Sequence, residues 1–122
     1  ILGLPGETPD MMVRTARYIG QSGADGIKLH LLHVLSGTDL AEEYAAGKFE
    51  TMTLDAYISV LEECLRVLPR EMVIHRMTGD GAKRSLIAPL WSADKKRIYD
   101  PEKGGYQPGG LEAVLEEYRD LW

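Results

Sequence analysis

Three small groups of residues in this chain have types and spacing suited to chemistry. The first is Gly3-Leu4-Pro5-Gly6-Glu7-Thr8, preceded directly by the apolar pair Ile1-Leu2. An apolar strand that ends in such a turn and runs into a helix cap lets a phosphate, nucleotide or amino-acid group reach bare main-chain N–H groups. The alternative is a tight strand-to-helix turn stiffened by Pro5. No Gly-Lys-Ser/Thr follows, so the turn is not a Walker loop, and its glycine spacing is not that of a dinucleotide fingerprint. The second group is Lys28 with His30, two residues apart and so on one face of a strand. A face presenting a cation and an imidazole is a poor surface for packing helices. It belongs in a polar interior where a substrate sits, or on an edge strand that meets water. The third is His75-Arg76, just before Gly79-Asp80-Gly81. Arg there can grip a carboxylate or phosphate with two parallel hydrogen bonds, or form an ordinary salt bridge at a strand end.

The elements that must position these groups follow from the pattern. Thr8-Pro9-Asp10 starts a helix with a hydroxyl cap, Pro at the first helical position and a carboxylate in the first turn. Met12, Ala16 and Ile19 recur at helical spacing, and Gln21-Ser22-Gly23 ends the run. Residues 26–35 then read as one strand. Ile27, Leu29 and Leu31 share one face of it, and Lys28, His30 and Leu32 the other. Thr38 caps a short helix through Tyr44 that stops at Gly47. Thr53 caps the strongest helix, with Leu54, Ile58, Leu61, Leu65 and Leu68 as its buried stripe and Pro69 closing it. Residues 72–76 are a further strand, 78–91 an irregular stretch, 100–110 a Pro- and Gly-rich loop, and Leu111, Val114, Leu115 and Tyr118 a last amphipathic helix. Strands alternating with helices predict an α/β fold of parallel strands with helical crossovers.

Composition narrows the function. Hydrophobic residues at 44% and charged residues at 27% describe a soluble globular protein. No apolar run predicts a membrane span, and no secretory leader is visible. A net charge of −5 argues against a generic nucleic-acid surface, which needs excess basic charge. The single Cys64 rules out a disulfide framework and fits a reducing cytosol. It falls on the apolar side of its helix and reads as core packing. His33 lacks a neighbour at metal-finger spacing, and no metal site is predicted. The 122 residues fall well short of the ~250 of a complete (β/α)8 barrel, and the chain opens inside an α/β unit. Both facts lead us to expect that further residues complete any site.

Taken in order, residues 1–8, residues 26–38 and His75-Arg76-Met77-Thr78-Gly79-Asp80 resemble the C-terminal half of a radical SAM protein. Within that superfamily the likeness is to a bacterial branch related to elongator protein 3 and oxygen-independent coproporphyrinogen dehydrogenase. Ala88-Pro89-Leu90-Trp91-Ser92 and Lys95-Lys96 extend the match, which covers about three quarters of the chain. The resemblance implies a partial TIM-type (β/α) barrel over residues 1–98, followed by a loop and terminal helix over 99–122. It implies S-adenosylmethionine and a 4Fe–4S cluster as cofactors of the complete enzyme, and a 5′-deoxyadenosyl radical that takes hydrogen from a substrate. By that likeness Gly3, Leu4, Pro5, Gly6 and Glu7 shape the cofactor wall, and Lys28, His30, His75 and Arg76 face substrate or the cofactor carboxylate.

The family's cluster-binding Cys-x3-Cys-x2-Cys loop and its Gly-Gly-Glu motif are absent here. The expected partners are therefore an unknown substrate, the N-terminal half of the barrel, and a second copy through an open sheet edge, with no catalytic residue assigned in this stretch. Two other functions are open. One is a non-enzymatic α/β interaction module whose half-sheet pairs with another chain. The other is a phosphate-binding barrel half that uses the first turn.

Overall fold

A computed structural model describes residues 1–78 and 83–94. Helix α1 is Pro9–Gly20. The Thr8 hydroxyl accepts from the Met11 N–H at 3.3 Å, as the hydroxyl cap predicts. Strand β1 is Gly26–Lys28 and β2 is Val34–Leu35. Helix α2 is Asp39–Ala45, capped by Thr38, and α3 is Leu54–Val67, capped by Thr53. Strand β3 is Val73–Arg76 and β4 is Leu86–Ala88, the latter flanked by turns of 3₁₀ helix, Lys83–Ser85 before it and Leu90–Ala93 after it. No described helix is long and apolar enough to cross a membrane.

Strands β1 and β3 pair in parallel, Gly26 opposite Val73 and Ile27 opposite Ile74. Upstream of α1, Leu2 makes a parallel bridge to Leu31, with Leu2 N–H donating to His30 C=O at 2.7 Å and Leu32 N–H to Leu2 C=O at 2.9 Å. The spatial order Leu2, residues 26–31, β3 is thus the chain order. Of the three intervening helices, α1 and α3 pack on each other over one side of this ribbon, while α2 packs against β2. Leu2, Leu29, Leu31 and Ile74 meet Met12 and Ala16 of α1 and Tyr57, Leu61, Cys64 and Leu65 of α3 in one core. Gly20 allows the helices to close together, because a Cβ there would stand 2.9 Å from the Pro69 ring.

Two expectations need correction. Residues 26–35 are not one strand: β1 ends at Lys28, Leu31 bridges to Leu2, and β2 pairs antiparallel with β4 in a separate sheet. The apolar run is continuous because each half is buried against a different partner, the main core for Leu31 and a second cluster with Ala41 and Ala88 for Val34. The stretch 78–91 is not irregular throughout, since β4 lies within it. Three residues ending at a proline are too short to show a period. The all-parallel expectation therefore holds for the main ribbon and fails for β2 and β4. The expected turn at residues 79–81, the loop at 100–110 and the last helix lie outside the described residues.

Candidate functional site

Because the three parallel segments run the same way, their outgoing connections leave from one end: residues 3–8, residues 32–52 and the chain after β3. The first is a type II turn. Glu7 N–H donates to Leu4 C=O at 3.1 Å, with Pro5 at the second position and Gly6 at φ +82° at the third. Gly3 has φ +94°, and a Cβ there would stand 3.2 Å from Met52 Cγ and Sδ. Both glycines therefore have local reasons to be glycine. The turn nevertheless forms one wall of a groove of about 440 Å3, and Lys48, Phe49, Glu50, Thr51 and Met52 form the other.

The opposing wall was not legible beforehand. It is pinned from a distance, where Trp91 Nε1–H donates to Met52 C=O at 3.0 Å and the Trp91 ring packs 5.6 Å from that of Tyr57. Tyr57 in turn donates its hydroxyl to Met77 C=O at 2.5 Å. These contacts join residues 20 to 39 positions apart, which no local pattern displays.

Lys28 is exposed and His30 half-buried, while Leu29 and Leu31 between and beyond them are buried under the helices. Over residues 28–31 exposure alternates as predicted, whereas Ile27 is only half-buried and Leu32 is buried. Gly3 joins the same side as Lys28 and His30, since its Cβ position is 3.7 Å from Leu32 Cβ. His30 Nδ1 lies 2.6 Å from Leu31 C=O, and its ring centroid is 5.6 Å from that of His33. In β3 the pairing slips by one residue, so Lys28 stands opposite Arg76 rather than His75. The extra residue, His75, lays its ring over Gly26, with Nε2 2.7 Å from where a Cβ would be. Two residues of β3 thus stand against one of β1, as in a β-bulge. Arg76 is the cross-strand partner of Lys28, and the His75 ring lies on the side of Gly26.

Two further groups bear on the chemistry. Thr78 is buried, and among the described residues its hydroxyl has no hydrogen-bond partner. Cys64 is fully buried on α3, and burial, reinforced by the charge of Glu63, pushes its thiol from the ordinary 9.0 up to about 11. A thiol so disposed is a poor nucleophile and a poor metal ligand. Among the described residues no group of three or more His, Cys, Asp or Glu is placed to hold a metal ion.

A ribbon of parallel strands backed by helices, with its loops gathered at one end, is the kind of frame α/β enzymes use. The chain belongs to the radical SAM C-terminal domain family, whose model matches residues 24–101. It is similar to an uncharacterized protein of Bacillus subtilis, YtqA, at 37% identity over 96% of this chain and 38% of that protein. It is similar to protein YhcC of Escherichia coli at 35% identity over 78% of this chain and 31% of that one. An uncharacterized protein of Methanocaldococcus jannaschii matches at 32% identity, over 80% of this chain and 31% of its own length. The chain thus spans about a third of the length of each. The first turn lies upstream of the family-model match.

Proposed function

We propose that this chain is a segment of a (β/α) barrel in a radical SAM enzyme, supplying one wall of the cofactor site and part of the substrate face. The observation that carries the reading is the strand order. In a doubly wound sheet the order reverses at a switch point, whereas successive barrel strands are neighbours with all helices outside. Here Leu2, β1 and β3 are neighbours in chain order, and α1 and α3 share one side. The opposite side then corresponds to a barrel interior, where Lys28, His30, His75 and Arg76 meet substrate.

The residues present fit S-adenosylmethionine at the first turn. Gly6 exposes backbone with nothing within 4 Å of its Cβ position, in a groove long enough to take residues 3–7 along one wall. Leu4 and Met12 offer apolar surface there, and Glu7 a carboxylate. When bound, S-adenosylmethionine supplies the 5′-deoxyadenosyl group that abstracts hydrogen. The residues present do not fit the iron–sulfur cluster. Cluster ligation needs several convergent thiolates, and the one thiol here is buried and hard to ionise. The cluster would be held elsewhere in the complete protein, in the cytoplasm. The test is anaerobic incubation of the full-length protein with S-adenosylmethionine and a low-potential reductant. Formation of 5′-deoxyadenosine and methionine is expected; a cluster-loaded, folded protein that forms neither would refute the assignment.

A further inference from the structure

We infer that the bulge in β3 builds a receptor for an oxyanion, a carboxylate or phosphate group carried by the substrate. This rests on the preceding assignment of the sheet face opposite the helices as the substrate side, and deepens it. Lys28 and Arg76 are direct cross-strand partners. Like charges placed opposite each other destabilise a sheet pair, so the arrangement asks for a counter-charge. Among the described residues none supplies it, and neither side chain has an ion pair or a hydrogen bond there. Arg76 is half-buried, where an uncompensated cation is costly.

The local backbone is arranged to keep them together. Without the slip between Ile27 and Lys28, alternation would send Arg76 to the side of Ile74, into the helix-facing core. With it, Arg76 is the cross-strand partner of Lys28, and the His75 ring lies on the side of Gly26. Gly26 provides the seat for the His75 ring, which any side chain at that position would displace. A planar guanidinium fork, a mobile ammonium and an imidazole N–H converging on one face suit an oxyanion. Two residues beyond Arg76, the buried Thr78 hydroxyl is a donor with no partner among the described residues.

The experiment is calorimetric titration of the full-length protein with inorganic phosphate and, separately, succinate at constant ionic strength, with and without S-adenosylmethionine. Saturable binding of at least one anion is expected, unaffected by S-adenosylmethionine. Preference for phosphate assigns a phosphorylated substrate, and preference for succinate a carboxylate one. Lys28→Met and Arg76→Met should each weaken binding about tenfold, the weight of one charge-assisted contact. Gly26→Ala should weaken it a few-fold by moving the His75 ring, and Arg17→Met, on the outer side of α1, should leave it unchanged. Melting curves check folding. Should Arg76→Met not fold, Lys28→Met, at an exposed position, decides alone. Three results would each overturn the inference: no saturation by either anion in the millimolar range, indifference to Lys28→Met, or displacement of the anion by S-adenosylmethionine, which would give the site to the cofactor's own carboxylate. Cleavage of S-adenosylmethionine is measured in parallel. Cleavage without anion binding defeats this inference alone, and anion binding without cleavage defeats the enzyme assignment alone.

Discussion

At the scale of single residues, the face assignments of β1 and the chemistry of Cys64 give the sharpest expectations. Leu29 is 4% exposed beneath α1 and α3, so Leu29→Ala should cost about 2–5 kcal/mol in denaturant unfolding. Lys28→Ala, one residue away and exposed, should be nearly neutral. Exchange of these two outcomes would mean the register is wrong by one. Cys64 predicts a pH effect. Its folded pKa, about 11, is above the ordinary 9.0, so the folded state holds the proton more tightly. The resulting stability is complete below pH 9.0 and is lost as pH rises toward about 11. Tyrosines titrate in the same range, so the comparison is with Cys64→Ala. That variant should be less stable at neutral pH and lose less stability between those limits; parallel curves would contradict the burial of the thiol.

Single elements were legible where local chemistry decides them. Thr8, Thr38 and Thr53 cap the three α-helices of the described residues as read, because an N-cap hydroxyl acts within three residues of itself. The stripe from Leu54 to Leu68 is buried as its spacing requires. What could not be read is what depends on partners far away in sequence. The run 26–35 divides because Leu31 and Val34 have different strands to meet, and the slip opposite Lys28 exists only in the pairing. Alternation thus placed Lys28 correctly but would have placed His75 and Arg76 on opposite sides. The far groove wall, residues 48–52, owes its place to Trp91 and shows no periodicity. At this scale Gly20 is testable. A methyl there meets the Pro69 ring at 2.9 Å, and the ring cannot swing away as a long side chain can. Gly20→Ala should therefore lower stability by about 1–3 kcal/mol, although alanine favours helix; a stabilised variant would show the helix ends are not in contact.

At the scale of the whole molecule, the ribbon is too narrow to close on itself. Among the described residues, Leu2 is paired on one side only, to Leu31, and β3 with β1 alone. Two open edges on a sheet with an apolar backing invite another strand. The 122-residue chain alone should self-associate with rising concentration in sedimentation, and strictly monomeric behaviour would count against the barrel-segment reading.

The central claim is that the groove between residues 3–7 and residues 48–52 holds S-adenosylmethionine. Its most direct test is the dissociation constant for S-adenosylmethionine in the full-length protein when the groove is filled from either wall. Leu4 and Thr51 line it from opposite sides, Leu4 exposed and Thr51 half-buried, so a larger side chain occupies the groove without entering the core. Leu4→Trp and Thr51→Trp should each raise the dissociation constant at least about tenfold, with unchanged melting temperature and iron content. Unaltered affinity in both folded variants would place the cofactor elsewhere and contradict the account.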